Sequence, residues 1–498
     1  MTIASENSTS SKSKNLPADT AGMRRLVWQL AWPVILANTT IPLVGLTDTA
    51  VMGHLGEVYD IGAVSLGSLV FSLVFISLGF LRMATTGLVA QAAGRGEQQA
   101  MLTHLLRSLG LAMLIGLAII LLRQPLIWLA GLLLGASMAV EAGMADYLGI
   151  VFLAAPAALA NMALLGYLYG IQSVRVAVLQ LVLVNGFNIT GNLLLVIGFG
   201  MGVKGVALAT ALAQWGGLAI SLLLVRAAIG PLGRLDWPAW NQLAAAAPLL
   251  RLVRLGRDII IRTSCILLAE AVVLAQAAEL GDAALAASQV LLVLFGLIAY
   301  SLDGFAHAAE IMTGTAIGAG KSRGLRLVIH ETTRLAAVMA AVLALLMLLF
   351  YQPVVGLITS QQVVRQAAGG LQWVMVLMPA VGVWAFQLDG IFIGATRGRV
   401  MRNAMLLSMA GFLLASGVLW QLAAFNPLAT DQTEELAAQG LSWQQAITGL
   451  DAIWAAFLLF LGLRGLTLLY WLDSIYATIP QGRSVAGKDT GRDSQPGG

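Results

Sequence analysis

The stretch GYLYGIQSVRV at residues 166–176 returns as GIFIGATRGRV at residues 390–400, so that Gly166, Gly170, Arg175 and Val176 reappear 224 positions later as Gly390, Gly394, Arg399 and Val400. Gly94 and Gly96 meet Gly318 and Gly320 at the same offset, and Pro156 meets Pro379 within one position of it. A single match of this kind arises by chance. One offset shared by small, proline and arginine positions marks a duplicated unit instead.

What is duplicated follows from composition. Of 498 residues, 59% are hydrophobic and only 10% charged, with a mean hydropathy of +0.86, far too apolar for a water-soluble globule. Apolar runs of about 20 residues, the length needed to cross about 30 Å of hydrocarbon, recur throughout. Six fall in the first half, at 26–52, 61–93, 105–122, 138–170, 176–199 and 205–225; six more follow at 259–278, 283–319, 335–358, 367–396, 404–425 and 443–472. An even number of spans per repeat keeps both copies in one orientation, related by an axis along the membrane normal. The expected fold is therefore an all-α polytopic membrane protein of about twelve transmembrane helices in two pseudo-symmetric six-helix bundles.

Lys and Arg in short loops mark the cytoplasmic side. Basic connections carry Arg24 and Arg25, Arg95, Arg175, the group from Arg226 to Arg257, Lys321 to Arg326, Arg397 to Arg402, and Arg483 to Arg492; they alternate with connections holding Glu57 and Asp60, Glu141, Glu279 and Asp282, and Asp431 to Glu435. Lys204 and Arg123 are the exceptions, long side chains that can snorkel to headgroups. Both termini are expected to be cytoplasmic, at a bacterial inner membrane. The layout reads as a disordered tail (1–22), an N-lobe (23–229), a Pro- and Arg-rich linker (230–256), a C-lobe (257–474) and a second disordered tail (475–498). The net charge of +4 reports these loops and gives no reason to expect a nucleic-acid partner. The one cysteine, Cys265, excludes an intrachain disulfide.

Polar residues inside the spans carry the functional signal. Asp48 is the only charge between Leu26 and Met52, and an ionised Asp at mid-helix costs about 2.5–3.5 kcal/mol on insertion scales, so such a group faces a protein-lined or watery cavity unless it reaches headgroup water. Asn185, Asn188 and Asn192 form one stripe on the fifth span, either as partners for that acid or as interhelical glue. In the second half, Asp303, His307 and Glu310 follow i, i+4 and i+7 on one face, Glu270 lies inside the seventh span and Asp389 near the end of the tenth. Such a group can relay protons, bind a cation or pair structurally with Arg262. One His and two carboxylates on one helix are too little for a structural zinc site, so no metal is expected. The full Gly-x-x-x-x-Gly-Lys-Ser/Thr phosphate loop is absent, Gly320-Lys321-Ser322 having Thr315 where its first glycine would stand, as are His-Glu-x-x-His and Gly-x-Ser-x-Gly, which leaves an ion gradient as the simple energy source and gives no reason to expect an enzyme.

Taken together, the duplicated twelve-span layout, Pro33, Asp48, the GHLG run at 53–56, NITGN at 188–192 and GVALAT at 205–210 resemble the MATE (multidrug and toxic compound extrusion) transporters. Within that family the GRD at 256–258, LDGFAHAAE at 302–310 and LDGIFIGAT at 388–396 are similar to the DinF-like branch. The resemblance covers about residues 23–472. It implies an antiporter without cofactors that expels small organic compounds, often cationic or amphipathic, in exchange for protons or, alternatively, sodium. Asp48, Tyr147, Asn188, Asn192 and Thr210 map onto the family's N-lobe ion site, with Asn192 standing where the family commonly has Asp. In the C-lobe, Asp389 matches a cation-site position, while Glu270 falls about one turn from the usual acid. On this reading Asp48 carries the coupling proton, with Glu270, Asp303, His307, Glu310 and Asp389 as a possible second ion or proton site. The chain is expected to act as a monomer in the bilayer. A lipid-linked saccharide flippase, a channel or receptor, and a membrane enzyme built on Asp303, His307 and Glu310 are the competing readings.

Overall fold

The computed structural model describes residues 16–38, 58–229, 237–424 and 443–479, and every regular element among them is helical. The first half contains α1 (Thr20–Asn38), α2 (Val58–Ser77), α3 (Phe80–Arg95), α4 (Gln98–Leu121), α5 (Arg123–Leu134), α6 (Met138–Val151), α7 (Ala155–Gly170), α8 (Val174–Asn192) and α9 (Gly202–Ile229). The second contains α10 (Trp240–Leu243), α11 (Ala246–Glu279), α12 (Asp282–Gly318), α13 (Ser322–Ile358), α14 (Gln362–Gly369), α15 (Gln372–Gly394), α16 (Gly398–Ala424), α17 (Trp443–Tyr470) and α18 (Asp473–Tyr476).

Ten spans among the described residues are long and apolar enough to cross a membrane; α2 with α3 make one, and α6 with α7 another, bent at a 3-10 turn over Phe152–Ala154. α1 opens the first expected span and the charged α11 takes in the seventh, neither being among those ten. The expected span at 138–170 matches the observed bounds, and most others agree within a few residues. α11 and α13 differ more, beginning at Ala246 and Ser322 where the apolar pattern starts only at 259 and 335. Arg and Leu are good helix formers, so these helices continue past the hydrocarbon into charged sequence that hydropathy does not register. α11 thus takes in residues 246–256 of the segment read as a linker. α5, only 12 residues and outwardly apolar through Trp128, Leu132 and Leu133, is too short to cross.

The repeated glycines mark where backbones touch. A Cβ on Gly166 would lie 2.5 Å from the Arg82 carbonyl of α3, and one on Gly390 would lie 2.1 Å from the Ala306 carbonyl of α12. Each repeat thus packs its fourth span on its second without a side chain between them. Between the repeats, α3 crosses α12: a Cβ on Gly94 would lie 2.2 Å from the Thr315 carbonyl, and one on Gly318 would lie 2.0 Å from that of Gln91. Residues 91 and 315 are 224 positions apart, as are 94 and 318, so this crossing is made twice by equivalent atoms about one pseudo-twofold axis. In membranes, where hydrocarbon offers no hydrophobic drive between helices, such close small-residue contacts are a main source of association.

Candidate functional site

The C-lobe places all five of its sequence-predicted residues around one cavity of about 370 Å³: Glu270 from α11, Asp303, His307 and Glu310 from α12, and Asp389 from α15. Arg82 of α3 also lines it, so the cavity lies at the junction of the lobes. The α12 trio shares one helix face, as its spacing requires. The helix backbone returns a bond as well, since the Asp303 carbonyl lies 2.7 Å from His307 Nδ1.

The charges here are mostly neutralised in pairs. Arg262 of α11 and Arg464 of α17 both donate to Oδ2 of Asp389, so three helices are tied at one carboxylate oxygen. Arg82 donates to Glu310 at 3.3 Å across the lobe boundary. The guanidinium of Arg82 lies 6.0 Å from the Tyr169 ring, whose edge also meets His307. Glu270 and Asp303 have no ion-pair partner among the described residues. An aromatic wall adjoins these polar groups, with Arg464 5.5 Å from the Phe386 ring: Phe295 packs on Phe386 at 6.3 Å and on Phe457 at 5.2 Å, and Phe457 on Phe460 at 6.1 Å. The cavity therefore offers to one occupant an apolar surface and two carboxylates without a direct ion pair, Asp303 standing in the field of Arg82, Arg262 and Arg464.

Three of the N-lobe candidates, Asn188, Asn192 and Thr210, form a neutral network. Asn188 of α8 donates to the Thr210 hydroxyl of α9 at 3.0 Å, and Asn192 donates to Asn188 Oδ1 at 3.3 Å, all three buried. Thr210 passes its own proton to the Val206 carbonyl at 3.1 Å. Tyr147, also buried, accepts from Ser68 at 3.2 Å. The i, i+4 spacing of the two asparagines thus gives one connected stripe. Asp48 lies outside the described residues.

Two repeat-equivalent hydrogen-bond sets close the junction on the basic-loop side. Gln91 donates to the Gly394 carbonyl at 2.9 Å and to Thr396 Oγ1 at 3.3 Å; Gln172 donates to Thr315 Oγ1 at 3.2 Å. Gln172 and Thr396, 224 positions apart, are the only non-glycine residues with positive φ among the described residues, at 59° and 55°. Each occupies a left-handed turn after its repeat's fourth span, a conformation that costs about 1–2 kcal/mol without glycine.

Arg464 was not singled out from sequence. Its signal was available: it is a lone cation deep in the last apolar run, and a buried guanidinium requires a nearby acid. Arg82 was visible as an internal base, but its partner, 228 residues away, was not.

Ten apolar spans among the described residues, in two repeats joined at a charged and aromatic cavity, define a polytopic membrane transporter. The chain matches MatE over residues 33–194 and 259–418. It is 39% identical over 447 residues to DNA damage-inducible protein F of Escherichia coli (strain K12), covering 89% of this chain and 91% of that protein. A probable multidrug resistance protein NorM of Neisseria meningitidis serogroup B is 26% identical over 357 residues, covering 69% of this chain and 75% of that one. The solved structure of a MOP superfamily transporter from Pyrococcus furiosus superposes with a TM-score of 0.77 at 19% identity, covering 94% of this chain and 99% of the other. The chain belongs to the MatE family of membrane transporters, and it is not an enzyme.

Proposed function

We propose that this protein exports amphipathic organic compounds, cationic ones above all, in exchange for protons, by alternating access of its two lobes. The observation that carries this reading is the convergence of Glu270, Asp303, His307, Glu310 and Asp389 on one cavity with an aromatic wall at the lobe junction. An organic cation finds there both a π-surface and carboxylates that no arginine pairs with directly among the described residues. A proton binding to Asp303 or Glu270 removes the negative charge that holds such a cation. The substrate is then released, and the equilibrium between lobe arrangements shifts by the difference in proton affinity between them. The family resemblance makes Asp48 the matching acid of the N-lobe and assigns Asn188, Asn192, Thr210 and Tyr147 to the same ion site. The basic loops support placing both termini on the cytoplasmic side of a bacterial inner membrane. The kinship with proteins named for multidrug resistance supports the substrate class.

The test is ethidium transport by the full chain in proteoliposomes under an imposed pH gradient. Transport is expected to collapse with a protonophore, and the Asp303→Asn/Glu270→Gln variant is expected to lose it about tenfold or more, the effect of about 1.4 kcal/mol in binding or barrier. Full activity in that variant together with its loss in Asp48→Asn would move the coupling to the N-lobe. Transport driven equally well by a sodium gradient alone would overturn proton coupling.

A further inference from the structure

A basic cavity, of about 420 Å³, opens at the basic-loop end of the C-lobe, between α11 and the turn that joins α15 to α16. Arg251 and Arg254 line it from α11, Arg397 from the turn and Arg399 from the start of α16. The one acid in its wall, Asp258, is already held by Arg257 at 3.0 Å and Arg402 at 2.9 Å. Arg397 is directed to Thr478 Oγ1 at 3.2 Å, and Arg251 reaches Thr396 Oγ1 at 3.5 Å. Arg254 and Arg399 make no hydrogen bond or ion pair among the described residues. The site is therefore concave, positively charged and equipped with two unengaged guanidiniums, whose planar donor pairs match phosphate oxygens.

α10, just ahead of α11, exposes Trp240 at 80%, and Trp237 before it is 57% exposed; tryptophan is a residue type enriched in the headgroup layer. The Gln242 and Leu243 carbonyls of this segment accept from Arg107 of α4, which anchors it against the N-lobe. Leu250 and Val253, interleaved with the two α11 arginines, are each 47% exposed and supply an apolar surface beside the cavity. A free anion has no use for that surface; a lipid has.

We infer that this cavity binds the phosphate of an anionic phospholipid headgroup, with Arg254 and Arg399 as its principal ligands and Leu250 and Val253 alongside the acyl chains. Basic pockets between helices on the cytoplasmic side recognise such headgroups through the same chemistry. Thr396 belongs both to this cavity and to the Gln91 contact, so the bound headgroup sits against the lobe junction.

The experiment measures binding of fluorescent phosphatidylglycerol and phosphatidylcholine to the detergent-solubilised full chain. Phosphatidylglycerol is expected to bind about tenfold more tightly, and Arg254→Ala/Arg399→Ala to abolish that preference. Arg175→Ala/Arg226→Ala, which removes the same charge from the N-lobe ends, is expected to leave it intact. Should the alanine pair fail to fold, Arg254→Lys/Arg399→Lys keeps the charge without the paired donors and is expected to weaken the preference about threefold. An undiminished preference in the site variants, or an equal loss in the N-lobe control, overturns the proposal. Displacement of the lipid by millimolar inorganic phosphate would also overturn it, by assigning the site to a free anion.

Discussion

The two halves share a backbone but not a chemistry. The charged positions of the C-lobe cavity, Asp303, His307, Glu310 and Asp389, correspond at the repeat offset to Gly79, Met83, Thr86 and Leu165, none of them ionisable. Conversely, Asn188 and Asn192 correspond to Phe412, packed in the apolar core, and Ser416, which donates to Gln276 at 2.8 Å. At the contacts made by Gly94 and Gly318, and by Gly166 and Gly390, the repeats agree to the residue; where spans line an interior, they part. Close backbone contact admits few residues, whereas an interior face can be neutral or ionic provided its groups are paired.

The largest effect expected from this contrast is at Asp389. Asp389→Ala leaves Arg262 and Arg464 buried beside each other without their counter-charge, and is expected to cost about 3–5 kcal/mol of stability. Thermal unfolding of the solubilised protein reads this, and adding Arg464→Met should restore part of the loss; a variant as stable as the parent would show that the C-lobe cluster is not held by ionic pairing. Smaller, and equal in the two halves, should be Gly94→Ala and Gly318→Ala, which drive a methyl into a backbone carbonyl on opposite sides of one crossing. Each is expected to cost about 1–3 kcal/mol, as overpacking does. A loss confined to one of them would break the symmetry of the junction. Smallest is Asn188→Ala in the N-lobe, which removes neutral interhelical bonds of about 0.6–2 kcal/mol in the same unfolding measurement. A cost matching that of Asp389→Ala would erase the distinction between the two sites.

These physical differences also decide what could be read from the chain beforehand. Span count and duplication were legible because hydropathy and the 224-residue offset are local or periodic signals. The glycines of the repeat announced close contacts, but not that Gly94 and Gly318 meet across the lobes; pairing of that kind is settled by tertiary geometry. The starts of α11 and α13 were missed because arginine-rich helix looks like loop to a hydropathy pattern. The C-lobe acids were visible from their spacing, and Arg262 as a candidate partner. That two guanidiniums share Asp389 required the fold, since Arg464 is 75 residues away on the last long helix.

The crossing at Gly94 and Gly318 is, in geometry, an isologous interface inside one polypeptide: each copy supplies the same patch to the other. That is the contact by which two separate subunits form a twofold dimer. A half-length ancestor bearing this patch would already own its complete docking face, and joining two copies end to end adds only the guarantee that they stay together. It also frees each copy to specialise alone. A change in a span interior alters one half, while a change in the shared seam must still fit its own counterpart, so the seam preserves a symmetry that the cavities have lost.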